Sequence, residues 1–192
     1  AQKTRERVGN KVRWREDEIS IEVVAGLNFL VAAEIFAGAL GDDYRRILRH
    51  EFGPKTDSFP DIQTLVSLPF RHFLTSNYDP MLESALSQLG QNCPYLCLHD
   101  HKAAAKFLCD LTDRQQQRHV VHVHGRYDVP EQIVLTEERY GSQYTNSAVV
   151  RGFWTIVTVR ESCVFFGFSF SDLDLLSGFR TAKREFNLQS RH

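Results

Sequence analysis

The chain reads as an α/β protein with a Rossmann-like parallel sheet flanked by helices on both faces. Two observations predict this. First, short β-prone runs at 70–75, 95–98, 120–123, 133–135 and 163–166 alternate with longer stretches of helical periodicity. That alternation is the pattern of a parallel sheet covered on each side. Second, Cys163-Val164-Phe165-Phe166 is wholly apolar, as a strand buried on both faces should be. At 192 residues the chain suits one domain with a sizeable core rather than two.

Residues 1–18 are polar and charged, with Trp14 the only large anchor, and carry no firm assignment. From 19 to 40 the apolar residues are too dense for a solvated face, and Gly41 serves as a helix stop. A short helix over 42–51 places Tyr44, Ile47 and Leu48 on one side. Residues 53–60 form a loop by composition. A helical turn starting at Leu65 breaks at Pro69, and the strand over 70–75 follows. Asp79-Pro80 then opens a helix with Met81, Leu82, Ala85, Leu86 and Leu89 on one face, ended by Gly90. Further helices are expected over 102–111, 147–159 and 172–186, the last with Leu173, Leu176 and Phe179 as its buried stripe.

The formal net charge is −1, so no basic field draws the chain to nucleic acid or anionic lipid. The longest apolar stretch, 23–33, falls short of the ~20 residues a membrane span needs. No tripartite leader opens the chain. Cys93, Cys97, Cys109 and Cys163 form no CxxC pair, which suits reduced thiols in a cytoplasmic protein. The chain begins at Ala1 rather than Met, so it is read as a piece of a longer protein.

In open parallel sheets, ligands gather at the carboxyl ends of the strands, where loops and helix N-termini collect. Three predicted strands end in polar residues: at Asn77, at His124 and over 167–171. Together they predict one nucleotide-binding site. Asp79 precedes Pro80 and is well placed as a helix N-cap, a role worth ~1 kcal/mol. For Asn77 two readings stand: an amide that orients a ribose hydroxyl or a water, or a turn-forming residue. His124 is a candidate base, and Gly125 beside it lets a ligand or another backbone come close. His122 and His124 alternate onto one strand face, which raises a two-His metal site. A third ligand with zinc spacing is not apparent among Cys93, Cys97, His99 and His101, and no metal is expected. The turn at Gly167, Ser169 and Ser171 offers hydroxyls and backbone N–H groups to a phosphate or ribose.

The segments "LVSLPFRHFLTSNYDP", "VVHVHGRYDVPEQIVLTEERYG" and "FFGFSFSDLDL" resemble the divergent sirtuin-like domains of bacterial anti-phage defence proteins, over about residues 65–176. The resemblance implies a single Rossmann-like NAD-binding domain over 1–192 and hydrolysis of NAD to ADP-ribose and nicotinamide. It puts the catalytic Asn on Asn77 and the catalytic His on His124. It also puts nucleotide-lining positions on Asp79, Gly167 and Ser169, with Ser76, Gly125 and Ser171 beside them as further contacts. It implies a homo-oligomer working with a sensor domain or subunit.

Three departures accompany it. The four-Cys zinc module of the deacylases is absent, Ser76 replaces their Gln, and no glycine-rich loop follows a first strand. The small residues Ala37-Gly38-Ala39-Leu40-Gly41 end a helical stretch instead, so either the loop lies upstream of Ala1 or the pyrophosphate is held differently. The alternative reading is a non-catalytic nucleotide-sensing or assembly module with the same fold.

Overall fold

Three short parallel strands carry the architecture: β3 (Phe73–Thr75), β4 (Tyr95–Cys97) and β5 (Val120–His122). The order is β3-β5-β4, so β5 is central, with Val120 opposite both Phe73 and Tyr95 and His122 opposite both Thr75 and Cys97. The computed structural model describes residues 5–8, 11–14, 29–55, 60–111, 113, 117–145, 147–168, 180 and 184. Two further strands, β1 (Arg5–Val8) and β2 (Lys11–Trp14), pair antiparallel as a separate sheet. They fall in the stretch for which the sequence supplied no assignment, although the Gly9-Asn10 pair between them is a hairpin signal.

Helices α1 (Phe29–Leu40), α2 (Asp42–Phe52), α3 (Pro60–Ser67), α4 (Met81–Gln88), α5 (His101–Asp110), α6 (Glu137–Tyr140) and α7 (Ala148–Arg160) surround the sheet. Their starts follow local chemistry. Pro60, expected in a loop, is the first residue of α3, where its missing N–H costs nothing. Asp100 caps α5, its Oδ1 accepting from the Lys102 and Ala103 N–H groups at 3.1 and 3.0 Å. Ser147 caps α7 through the Val150 N–H at 3.2 Å. Gly90, at φ +71°, follows α4 in the left-handed conformation that terminates helices, and the Gln91 N–H reaches back to the Leu86 carbonyl at 3.0 Å.

Alternation along β5 divides the core into two layers. Val120 packs with Val66, Phe73, Ala85 and Leu86, the face covered by α3 and α4. Val121 and Val123 pack with Leu96, Phe107, Phe153 and Trp154, the face covered by α5 and α7. Burying each large side chain contributes ~1.5–3 kcal/mol, so the larger α5–α7 layer supplies most of the hydrophobic stabilisation. No described helix is long and apolar enough to cross a membrane. Cys93, Cys97 and Cys163 are free cysteines.

Two expected strands are absent. Residues 133–135 form no ladder; they follow a 3₁₀ turn (Pro130–Gln132), and the Val134 N–H makes a 2.8 Å bond to the His124 carbonyl. Residues 163–166 are also not a strand, and Val164 and Phe166 are 61% and 54% exposed. A run apolar on both faces becomes a buried strand only beside a neighbour that satisfies its backbone, and no described strand pairs with it. Cys163 and Phe168 anchor its ends against the larger layer, while Phe166 meets Phe70 edge-on at 5.7 Å. The helix expected over 172–186 lies outside the described residues, apart from Arg180 and Arg184.

His72 illustrates how the core constrains a titratable group. Its Nδ1 accepts from the His119 N–H at 3.3 Å, and its ring meets Phe107 edge-on at 5.0 Å. Burial, then the charges of Arg71, His119 and Arg118, lower its pKa from 6.5 to about 4. Between those values the unfolded chain binds a proton that the native state refuses, so stability falls as pH drops through the window. Urea denaturation at pH 7 and pH 5 should show wild type losing on the order of 1–2 kcal/mol more than His72→Leu across that interval. Identical pH dependence in the two proteins would contradict this.

Candidate functional site

The exits of β3 and β5 are stitched together beyond their ladder. The Val123 N–H donates to the Thr75 carbonyl and the Tyr127 N–H to the Tyr78 carbonyl, both at 2.9 Å. The Asn77 N–H donates to Thr75 Oγ1 at 3.0 Å, a tight turn built by the threonine hydroxyl. Asn77 is exposed and follows the carboxyl end of β3; His124 follows the carboxyl end of β5. Two of the three predicted strand endings therefore lie on adjacent parallel strands. The third does not join them as a strand end, because Phe166 contacts Phe70 at the entrance of β3 rather than its exit. Gly167 follows that exposed run at φ +62°, while Ser169 and Ser171 lie outside the described residues. Ser76 is half-buried in the turn between Thr75 and Asn77.

Asp79 does the work of a cap: its Oδ1 accepts from the Met81 N–H at 3.0 Å. The helix begins at Met81, one residue later than Pro80 suggested. Gly125 has a backbone reason for being glycine. Its φ is +87°, and a Cβ there would stand 2.6 Å from the Gln132 carbonyl oxygen and 3.1 Å from Ile133 Cα. Of the two close approaches open at that position, the structure contains the backbone one.

His124 is 5% exposed and packs against two tyrosines, Tyr140 and Tyr144, each with its ring centre 5.6 Å away, while the tyrosine rings lie 5.0 Å from each other. The Tyr144 hydroxyl lies 3.3 Å from both the Val123 carbonyl and His124 Nδ1. The hydroxyl donates to the Val123 carbonyl, and His124 Nδ1 lies within hydrogen-bonding reach of its oxygen.

His122 takes a different path. It is 0% exposed, with Nδ1 3.0 Å from the Asn77 carbonyl and Nε2 2.9 Å from Glu83 Oε1. Arg126 Nε donates to the same Glu83 oxygen at 3.1 Å, its other arm binds Asp128, and its guanidinium covers the Tyr95 ring at 3.9 Å. Burial would raise the Glu83 carboxyl, but the hydrogen bond and charge of His122, with Arg126, hold it below the usual carboxylate range.

The pairing of His122 with His124 on one face is thus corrected. The ladder ends at His122, which faces Glu83 of α4, while His124 turns to the tyrosines after it. Among the described residues no group of three or more His, Cys, Asp or Glu converges to hold a metal.

Sequence reasoning missed Glu83, Arg126, Tyr140 and Tyr144. Tyr140 and Tyr144 stand four apart, a spacing that shares one face of a helical segment. Glu83 lies three residues before the buried Leu86, an acid beside an apolar stripe that calls for a buried partner.

Against known proteins, the family described as SIR2-like domain matches residues 71–192. The chain is also similar to the NAD(+) hydrolase ThsA of Acinetobacter baumannii (strain 532279), at 28% identity over 125 residues. That match covers 65% of this chain and 24% of the relative, so the chain spans about a quarter of that protein's length.

Gly125 supplies a test of the site's backbone. Gly125→Ala should destabilise the protein by roughly 2 kcal/mol or more, read as a lower urea midpoint, because positive φ and the Gln132 carbonyl both oppose a Cβ. An unchanged midpoint would contradict the close approach.

Proposed function

The chain belongs to the SIR2-like domain family, and from that premise we propose that it hydrolyses NAD to ADP-ribose and nicotinamide as the effector domain of an anti-phage defence system. The similarity to a named NAD(+) hydrolase supports the substrate. The observation that carries the reading is the position of Asn77 and His124 after the carboxyl ends of adjacent parallel strands. Ligands of open α/β sheets bind at that edge.

Cleaving the nicotinamide–ribose bond develops oxocarbenium character, so the reaction needs orientation of water and ribose more than a protein nucleophile. In the proposed mechanism Asn77 orients the water or a ribose hydroxyl. Water adds to the ribose carbon as the bond to nicotinamide breaks, and His124 accepts the proton that water gives up. The Tyr144 hydroxyl, 3.3 Å from Nδ1, helps orient the ring. Ser76, Asp79, Gly125, Gly167, Ser169 and Ser171 are the proposed nucleotide contacts. For Asp79 the atom left for this is Oδ2, since Oδ1 accepts from the Met81 N–H. A homo-oligomer coupled to a sensor domain or subunit, working in the cytoplasm, completes the proposal.

Chromatography of NAD incubated with the full chain tests it. His124→Ala and Asn77→Ala should each lower nicotinamide release by ~10²-fold or more, the usual scale for losing a positioned acid–base or orienting group. Equal, negligible release from wild type and His124→Ala, even with an activating partner present, would leave the nucleotide-sensing module as the reading.

A further inference from the structure

We propose that His122, clamped by Glu83, is a positioning residue that fixes the Asn77 peptide, a role that rests on the reading of Asn77 given above. The geometry is specific. Of the described bonds from β5 and its exit to the Asn77 turn, those to the Thr75 and Tyr78 carbonyls come from backbone N–H groups. The Asn77 carbonyl lies between them, and the side chain of His122 fills that place at 3.0 Å. A carbonyl has no proton to give, so Nδ1 is the donor. Nε2 meets a carboxylate oxygen that Arg126 already holds as an acceptor, so it too donates. Both ring nitrogens therefore donate, and the imidazole can neither rotate nor translate without breaking one bond.

A purely structural salt bridge between β5 and α4 would explain the Glu83 contact alone. It would not explain why the second nitrogen is spent on the one turn residue assigned to chemistry. Burying an ion pair seldom stabilises a fold more than apolar packing does, whereas it fixes geometry well. Glu83, at the start of α4 and near the positive end of its dipole, anchors the ring from the helix that the Asn77 turn leads into.

Two substitutions separate the two bonds. In His122→Asn the amide nitrogen takes the place of Nδ1 and keeps a donor for Asn77. In His122→Gln it takes the place of Nε2 and keeps only the Glu83 side. Amide hydrogen exchange, which needs no turnover, should rise ~10-fold or more over residues 76–79 in His122→Gln, with Val120 and Val121 unchanged. In His122→Asn the rise should be at most a few-fold. NAD hydrolysis should follow the same order, with kcat falling ~10-fold in His122→Gln, KM within about twofold, and most of the rate regained in His122→Asn.

Wild-type exchange over 76–79 in His122→Gln would overturn the proposal. If wild type cleaved no NAD while exchange still rose, the hydrolase reading would fail and the positioning role would stand. Should His122→Gln not fold, ring NMR of the wild type decides. A slowly exchanging Nδ1 proton coupled through its hydrogen bond to the Asn77 carbonyl carbon is expected, and its absence would refute the clamp.

Discussion

Strand β5 is hydrogen-bonded along both edges and buried on both faces, and the positions of the other parts follow from it. Its ladder spans three residues on each side, too few to hold a sheet by hydrogen bonds alone. The strand is held instead by the two apolar layers that its alternating side chains enter, Val120 toward α3 and α4, Val121 and Val123 toward α5 and α7. Each layer fixes one side of the sheet, and the exits of β3 and β5 are held in register by bonds that continue beyond the ladder. Asn77 and His124 have a defined relation only because both sit one short loop beyond that shared strand pairing.

Within this apolar frame one cluster of polar groups joins β5 to α4. Asp79 caps the start of α4 from outside, and Glu83 turns from its first turn to His122. The two carboxylates share the positive end of the helix, where negative charge is favoured. They have separate duties: one satisfies the helix backbone, the other reaches the sheet. Arg126 and Asp128 extend the array toward solvent, so the charged groups alternate in sign from the buried imidazole to the half-exposed aspartate. Such alternation lowers the desolvation cost that an isolated buried pair would carry. The turn between β3 and α4 is consequently held at both ends.

Much of this was legible in the sequence because hydrophobic periodicity reports burial, and burial made these elements. The helices at 42–52, 81–88, 101–110 and 148–160 and the three paired strands all lie where apolar spacing placed them. The Asp79 cap was legible for a local reason, since capping depends on neighbours in the chain. The run at 163–166 was misread because its apolarity reports a need for cover, not the presence of a pairing strand. Glu83, Arg126, Tyr140 and Tyr144 were missed because their partners are distant in sequence. No spacing rule connects Glu83 to His122, 39 positions away.

The two histidines of "HVHG" show where period-two reasoning stops. Alternation puts positions 120 and 122 on the α4 face, and it would put 124 there too if the strand continued. It does not: the ladder ends at His122, the chain turns at 123–124, and Gly125 then takes positive φ and passes so near Gln132 that no side chain fits. His124, in that turn, packs on Tyr140 and Tyr144. His122 stays in the sheet, shielded and with both nitrogens engaged. Two identical side chains thus part at the strand's end, one held between Asn77 and Glu83 and the other packed on Tyr140 and Tyr144.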